Sequence, residues 1–151
     1  MTIATIITAT TGSPYLRKNL ESVASQTYGD VQHLVFVDGK EHLYKVEMQL
    51  EGINADVIVL PYPTGIEQYN GHKMYAAGTY FAKGDYVGYL DEDNWLEPNH
   101  IESLMEVADE NSFACSLRKI VNSDGKFICN DDCESLGNWI SVINEIGRAH
   151  V

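Results

Sequence analysis

The sequence contains no long apolar run. No stretch approaches the roughly 18 consecutive apolar residues that a membrane-spanning helix needs. The N-terminal residues MTIATIITATTGS also lack the basic flank of a signal peptide. These absences predict a protein with no transmembrane segment, and a cytoplasmic location is expected.

Cysteine is scarce, and the number of cysteines is odd. The chain has three cysteines, Cys115, Cys129 and Cys133, and an odd count fits a reducing compartment better than a disulfide framework. Cys129 and Cys133 are close enough in sequence to share a metal ion, but a structural zinc site needs a second pair of ligands. Free cysteines are therefore the expectation.

Positive charge is scarce too. Ten Lys and Arg residues stand against 22 Asp and Glu residues, which gives a formal net charge of -12. Such a chain repels the phosphate backbone of nucleic acid, so no nucleic-acid partner is expected. A phosphorylated small molecule can still bind if a divalent cation bridges the two sets of negative charge.

The chain does contain enough apolar sequence for one domain, with 151 residues of which 44% are hydrophobic. Short apolar runs typical of buried strands alternate with segments that repeat apolar residues at helical spacing. The predicted strands lie at residues 3–7, 33–39, 56–60 and 86–90, and the predicted helices lie at residues 14–24, 44–50 and 73–83 and from residue 98 onward.

Local signals refine these helices. Ser13 is predicted to cap the first helix, with Pro14 at its first position, and Gly84 is predicted to end the third. The apolar stripes are predicted at Leu16, Leu20, Val23 and Ala24 in the first helix and at Met74, Ala77, Phe81 and Ala82 in the third.

Strands that alternate with helices predict the fold class α/β, a mainly parallel sheet with helices on both faces. FACSLRKIV and KFIC flank NSDG, which predicts a C-terminal β-hairpin. Ligands of such sheets bind beyond the carboxyl ends of the strands. This order places one set of polar residues on a single rim: Thr10, Thr11, Asp38, Asp91, Glu92 and Asp93.

The stretch YLDEDNW, residues 89–95, places three carboxylates in a row after a hydrophobic strand. On an extended exit from the strand, Asp91 and Asp93 would point the same way, with Glu92 opposite. Two carboxylates on one side suit a hard cation such as Mg²⁺ or Mn²⁺. The alternative is that these acids only cap and stabilise the start of the next helix.

Two longer stretches, ATIITATTGSPYLRKNLESVASQTYGDVQHLVFVDGKE and GHKMYAAGTYFAKGDYVGYLDEDNW, carry a family resemblance. They resemble the nucleotide-binding half of glycosyltransferase family 2, which has the GT-A fold, Rossmann-like in architecture. The resemblance runs from about Ile3 to Trp95 and continues weakly to Trp139. A Thr-rich turn, a helix ending near SQTY, a strand ending in Asp, a small-residue helix and the acid triplet occur in the expected order.

The resemblance implies roles for individual residues. Asp93 would bind a Mn²⁺ or Mg²⁺ ion directly, and Asp91 would hold the ribose or a metal-bound water. Asp38 would contact the base or ribose, although VDGK has a single Asp where many members carry two. Thr10 would line the nucleotide cleft, and Lys73, or less strongly His72, would contact the base or diphosphate. Three of these residues also have an ordinary structural explanation. Asp38 before Gly39 is typical of a turn. Lys73 could be only a solvated charge at a helix end, and Thr10 only a hydroxyl in a turn.

The implied reaction is metal-dependent transfer of a sugar from a nucleotide-diphosphate-sugar to an acceptor hydroxyl, with inversion at the anomeric carbon. The acceptor could be a glycan, a lipid or a protein. An inverting transfer needs a carboxylate base. Asp131, Asp132 and Glu134 are available, but turn chemistry explains the first two equally well, so the catalytic base is left unassigned.

The predicted domain covers residues 1–144 and is incomplete on its acceptor side. The last seven residues, EIGRAHV, are what a common sequencing adapter would encode in frame, so residues 145–151 are expected to be a non-native tail. Two alternatives remain for the function. One is a nucleotide- or metal-binding fragment without turnover, and the other is a haloacid-dehalogenase-like phosphatase, whose nucleophile also lies in a D-x-D after a hydrophobic strand.

Overall fold

The computed structural model describes residues 2–65, 71–108 and 113–131. It divides the chain into two compact units, Met1–Ser103 and Leu104–Val151. The predicted tail at residues 145–151, together with Asp132, Cys133 and Glu134, lies outside the described residues.

The described elements follow the predicted alternation of strand and helix. In chain order they are β1 (Ala4–Thr10), α1 (Leu16–Ala24), β2 (Val31–Val37), a 3-10 turn (Lys40–His42), α2 (Leu43–Leu50), β3 (Asp56–Val59), α3 (His72–Phe81), β4 (Tyr86–Tyr89), α4 (His100–Ala108), β5 (Arg118–Val121) and β6 (Phe127–Asp131). None of the helices within these described ranges has the length and apolar character to cross a membrane.

The first unit contains a four-stranded sheet in the order β3-β2-β1-β4, and every neighbouring pair is parallel. In register, Thr10 of β1 lies opposite Val37 of β2, and Ile7 lies opposite Tyr89 of β4. Parallel pairing aligns the carboxyl ends of the strands at one edge of the sheet. The predicted α/β class with a mainly parallel sheet is confirmed.

Helices cover both faces of this sheet. Successive residues of β2 point to opposite sides, so this strand contributes side chains to the core on each face. Side chains from α1, α2 and β2 form one buried cluster: Leu16, Leu20, Val35, Val37 and Val46. Side chains from β1, β2 and α3 form the other: Ile7, Leu34, Phe36 and Met74. A strand buried on both faces reads as a continuous apolar run, which is why β1 and β2 could be recognised from the sequence.

Helix α1 begins later than predicted. Its N-cap position is Tyr15, without a side-chain cap, so the prediction of Ser13 as the cap and Pro14 as the first helical residue was wrong. The Leu16 N–H donates to the Ser13 carbonyl at 3.1 Å, and the Tyr15 N–H donates to the Ser13 hydroxyl at 3.2 Å. Ser13 therefore closes a turn in front of the helix.

The buried face of α1 also differs from the predicted stripe. Leu16, Leu20 and Val23 are buried as expected, but Ala24 is exposed and Asn19 is fully buried. An amide on an apolar face needs hydrogen-bond partners, and Asn19 finds them in a distant loop.

Helix α3 packs on the sheet through Met74 and Gly78, whereas Ala77 and Phe81 are exposed. The predicted stripe was right at Met74 and wrong at Ala77 and Phe81, because the buried face of the helix passes through Gly78, which has no apolar side chain to count. A Cβ placed at Gly78 would lie 2.8 Å from Ile7 Cδ1 and 3.1 Å from Phe36 Cε2. The missing side chain lets this helix approach the sheet closely.

The second unit contains the predicted β-hairpin, in which β5 and β6 pair antiparallel. The Gly125 N–H donates to the Asn122 carbonyl at 2.8 Å, and Gly125 has a φ of 77°, which glycine adopts without strain. The Asn122 side chain accepts hydrogen bonds from the N–H groups of Asp124 and Lys126. The hairpin prediction is confirmed.

Candidate functional site

A cleft of about 770 Å³ lies at the carboxyl edge of the parallel sheet. Its lining comes from the ends of β1, β2 and β4, from the loop after β3 and from the start of α3. The lining residues are Ala9, Thr10, Thr11, Asp38, Pro63, Gly65, Gly71, His72, Met74, Tyr75, Asp91, Glu92 and Asp93. The structure thus brings together the rim residues that strand order alone had grouped.

The acid triplet is folded into a turn rather than extended. The Asn94 N–H donates to the Asp91 carbonyl at 3.0 Å, which closes a four-residue turn, here called the acid turn (Asp91–Asn94). The expectation that Asp91 and Asp93 alternate with Glu92 along an extended strand was therefore wrong. Local hydrogen bonding, rather than the period of a strand, sets the side-chain directions.

Glu92, the middle acid, is held by the loop that follows β1. Its Oε2 accepts hydrogen bonds from the Thr10 hydroxyl at 2.5 Å, the Thr11 N–H at 3.2 Å and the Ser13 N–H at 2.9 Å. The Thr11 hydroxyl donates to Oε1 at 3.2 Å. Backbone N–H groups and hydroxyls stabilise a carboxylate charge well, which explains how three adjacent acids are tolerated. Glu92 thus clamps this loop (residues 11–15, the first loop) to the acid turn.

Thr10 lines the cleft, but its hydroxyl is already engaged. It donates to Glu92 and accepts a hydrogen bond from the Gly12 N–H at 2.9 Å, and the residue is 2% exposed. Any contact between Thr10 and a ligand would use the remaining surface of this residue.

Asp91 has a partner that the sequence did not suggest. The Tyr75 hydroxyl donates to Asp91 Oδ1 at 2.5 Å, and the Tyr75 ring meets the Tyr89 ring edge to face at 5.4 Å. Burial, and secondarily the hydrogen bond to Asp91, raises the pKa of Tyr75 above its ordinary range. Tyr75 therefore stays a protonated donor that orients the Asp91 carboxylate.

Asp38 is 3% exposed and holds the loop that follows β3. Its Oδ1 accepts from the Thr64 N–H at 2.5 Å and its Oδ2 from the Gly65 N–H at 2.8 Å. A Cβ at Gly65 would lie 2.9 Å from Asp38 Oδ2, so glycine permits this close approach. The structure gives Asp38 a loop-anchoring contact in addition to its place on the cleft wall, and the base or ribose contact stays a prediction.

Lys73 is the site residue that the structure does not bring to the cleft. Its side chain is exposed, and among the described residues that line the cavity the neighbouring His72 appears but Lys73 does not. Adjacent positions on a helix point about 100° apart, so the two side chains leave the helix in different directions. The weaker sequence candidate, His72, is the better placed of the two.

The donor set of the cleft fits a divalent cation. Asp91 and Asp93 line one cavity, whereas within residues 2–65, 71–108 and 113–131 no group of three or more His, Cys, Asp or Glu side chains could hold a metal ion. Mg²⁺ is commonly held by one or two carboxylates, with water and substrate phosphate completing its coordination. Two carboxylates are the right ligand type for such an ion, and the metal at Asp91 and Asp93 stays a prediction.

The described part of the second unit offers no free carboxylate at Asp131. Asp131 is 4% exposed, lies in β6 opposite Arg118 and pairs with the Arg118 guanidinium. The turn offered as one of two explanations for Asp131 was wrong, because Asp131 is a strand residue with a cross-strand ion pair. Asp132 and Glu134 lie outside the described residues, and the catalytic base stays unassigned.

Sequence comparison matches this chain to one family. The model of the family described as Glycosyl transferase family 2 matches residues 5–144. The chain is 32% identical over 120 residues to the chondroitin synthase of Pasteurella multocida (strain Pm70). It is 34% identical over 92 residues to the glycosyltransferase GlyA of Streptococcus pneumoniae serotype 4. The two matches cover 77% and 60% of this chain and 12% of each relative, so the chain corresponds to a small part of these relatives.

Structure comparison finds the same fold in S. aureus TarS. One TarS crystal structure has a TM-score of 0.64 at 21% identity, covering 83% of this chain and 23% of TarS. A structure of TarS residues 1-349 in complex with UDP has a TM-score of 0.60, covering 74% of this chain and 33% of that one. At this level of identity the likeness concerns the fold alone.

Proposed function

Since the chain belongs to glycosyltransferase family 2, we propose that its cleft binds a nucleotide-diphosphate-sugar together with a Mn²⁺ or Mg²⁺ ion and transfers the sugar to an acceptor hydroxyl. The observation that carries the proposal is the acid turn, which brings Asp91 and Asp93 into a cleft at the carboxyl edge of a parallel sheet. Ligands of open α/β sheets bind at this edge.

The relatives suggest the ligands to test first. TarS was crystallised with UDP and with UDP-GlcNAc, so uridine diphosphate sugars are the first donors. Two relatives are named as synthases of chondroitin and of hyaluronan, so a glycan is the first acceptor, with lipid and protein as the other classes.

The side chains of the cleft would have different roles in binding the donor. Asp91 and Asp93 would hold the cation, which when bound stabilises the negative charge that develops on the leaving diphosphate. Tyr75 fixes the rotamer of Asp91, and Glu92 fixes the first loop against the acid turn. Asp38 anchors the loop at Thr64 and Gly65. A cleft that is already arranged needs less reorganisation when charge moves in the transition state.

The transfer itself is proposed to invert the anomeric carbon. The acceptor oxygen attacks that carbon on the side opposite the diphosphate, the bond to the diphosphate breaks, and the acceptor proton passes to a carboxylate base. A haloacid-dehalogenase-like phosphatase is set aside, because the whole match from residue 5 to residue 144 is to the glycosyltransferase family.

The metal role is tested with Asp93→Asn. Asparagine keeps the shape of the side chain but lacks the charge that a hard cation prefers. We expect UDP affinity in Mn²⁺ to fall on the order of tenfold or more and affinity in EDTA to change little. Isothermal titration calorimetry measures both. Asp85→Asn, an exposed acid at the other end of β4, is the matched control and should bind like the parent chain.

Two results separate the alternatives. An equal loss of affinity in Mn²⁺ and in EDTA would show that Asp93 is not a metal ligand. A radiolabelled donor assay with a glycan acceptor then distinguishes a working transferase from a binding fragment, because the fragment would retain metal-dependent binding without acceptor-dependent product.

A further inference from the structure

Asn19 connects the buried face of α1 to the acid turn. Its side chain is fully buried, and its Nδ2 donates hydrogen bonds to two backbone carbonyls, that of Asp91 at 2.9 Å and that of Asn94 at 3.0 Å. These carbonyls belong to the first and last residues of the turn. A single amide group thus spans the turn that carries both proposed metal ligands.

The other end of the Asn19 amide is held from inside the sheet. The Thr8 hydroxyl donates to Asn19 Oδ1 at 3.4 Å and lies 3.0 Å from His33 Nε2. The direction of the hydrogen bond between Thr8 and His33 depends on which ring nitrogen of His33 carries the hydrogen. The hydrogen bond from Thr8 orients the amide, with its oxygen toward Thr8 and both N–H groups toward the turn.

We propose that Asn19 is a positioning residue, which sets the shape of the acid turn and through it the placement of Asp91 and Asp93 in the cleft. This proposal rests on the function proposed above. Asn19 itself does not line the cleft, so it acts through the turn. Only an amide supplies two donors to the turn and an acceptor to Thr8 at once, which explains a polar residue on an otherwise apolar helix face.

The test uses Asn19→Leu in the full chain. Leucine has nearly the same branched shape and suits the apolar face, so the variant is expected to fold, but it donates nothing to the turn. Asn19→Asp is the second variant, which keeps the acceptor and loses both donors. The matched control is Thr5→Val, which removes a buried hydroxyl that donates to Gln32 and accepts from the Gly84 N–H at the other end of β1.

Amide hydrogen exchange, followed by NMR, is the first measurement. The Asn94 N–H closes the acid turn, so its exchange should accelerate on the order of tenfold in both Asn19 variants and remain unchanged in Thr5→Val. Thr5→Val should instead accelerate exchange at Gly84. Unchanged exchange at Asn94 in Asn19→Leu and in Asn19→Asp would overturn the proposal.

UDP affinity in Mn²⁺ is the second measurement. We expect a loss on the order of tenfold in Asn19→Leu and none in Thr5→Val, even where both lose similar stability to urea. Parent-like affinity in Asn19→Leu, despite faster exchange, would overturn the link between the turn and the site. If the parent chain binds no nucleotide, the proposed function fails, and the exchange result alone decides whether Asn19 sets the turn.

Discussion

The three adjacent acids after β4 have different environments. Asp91 accepts from the Tyr75 hydroxyl, Glu92 accepts from the first loop, and Asp93 lines the cleft. Repulsion within the triplet is therefore relieved in part by hydrogen-bond donors from other elements.

The burial of His33 makes the stability of the folded chain depend on pH. It is 5% exposed, its Nδ1 has no hydrogen-bond partner among the described residues, and burial lowers its pKa from 6.5 to about 4. The unfolded chain takes up a proton below about pH 6.5 while the folded chain does not. Stability is therefore lost as pH falls from about 6.5 towards about 4.

This pH dependence predicts a difference between the parent chain and His33→Gln. Glutamine can donate to Thr8 but does not titrate. From about pH 7.5 to about pH 5 the parent should lose about 2 kcal/mol more unfolding free energy than the variant, as measured by urea denaturation. Parallel pH profiles would mean that His33 is protonated without penalty in the folded chain.

At the scale of elements, the packing of α3 depends on a residue without a side chain. Gly78 lies over Ile7 and Phe36, and the ring of Phe81 still reaches the Phe36 ring edge to face at 6.2 Å. Helix α3 also carries His72 and Tyr75 into the cleft. The distance between α3 and the sheet therefore affects both the core and the site.

Gly78→Ala should destabilise the chain although alanine favours helices. The added methyl gains up to about 1 kcal/mol of helix propensity, whereas overpacking a core costs about 1–3 kcal/mol, so a net loss of up to about 2 kcal/mol is expected. Urea denaturation at neutral pH measures it. Gly29→Ala is the control, because no neighbouring atom lies within 4 Å of its Cβ position. Higher stability of Gly78→Ala than of the parent would contradict the packing argument.

The molecule as a whole carries an excess of negative charge, and so does its cleft. The chain has a formal net charge of -12, and the described residues that line the cleft include four carboxylates and no Lys or Arg. A diphosphate approaching without a cation meets repulsion from both sources.

The charge balance predicts opposite salt dependences with and without metal. In EDTA, raising the ionic strength from about 0.05 M to about 0.5 M should strengthen UDP binding severalfold, because salt screens the repulsion. In Mn²⁺ the same change should weaken binding or leave it unchanged. Fluorescence or calorimetric titration at several salt concentrations measures both. Weaker binding at high salt in EDTA would indicate a direct cationic contact, such as the one predicted for Lys73.

The alternation of strands and helices, the hairpin and the grouping of Thr10, Asp38, Asp91 and Asp93 at one edge followed from the sequence alone. These features depend on apolar period, on turn residues and on the order of elements along the chain, all of which are local patterns. The resemblance to glycosyltransferase family 2 followed from the same stretches, and the family match confirms it.

Only the tertiary structure decided what each polar side chain contacts. Glu92 meets Thr10 across 82 positions, Asn19 meets Asp91 across 72, and Tyr75 meets Asp91 across 16. Local apolar periodicity cannot predict pairs that are so far apart in sequence. In the sequence, a buried amide such as Asn19 or a packing glycine such as Gly78 looks only like a gap in an apolar stripe. The direction of a polar side chain depends on which donors and acceptors the fold brings within about 3 Å of it, and that is known only after the strands have paired and the helices have packed.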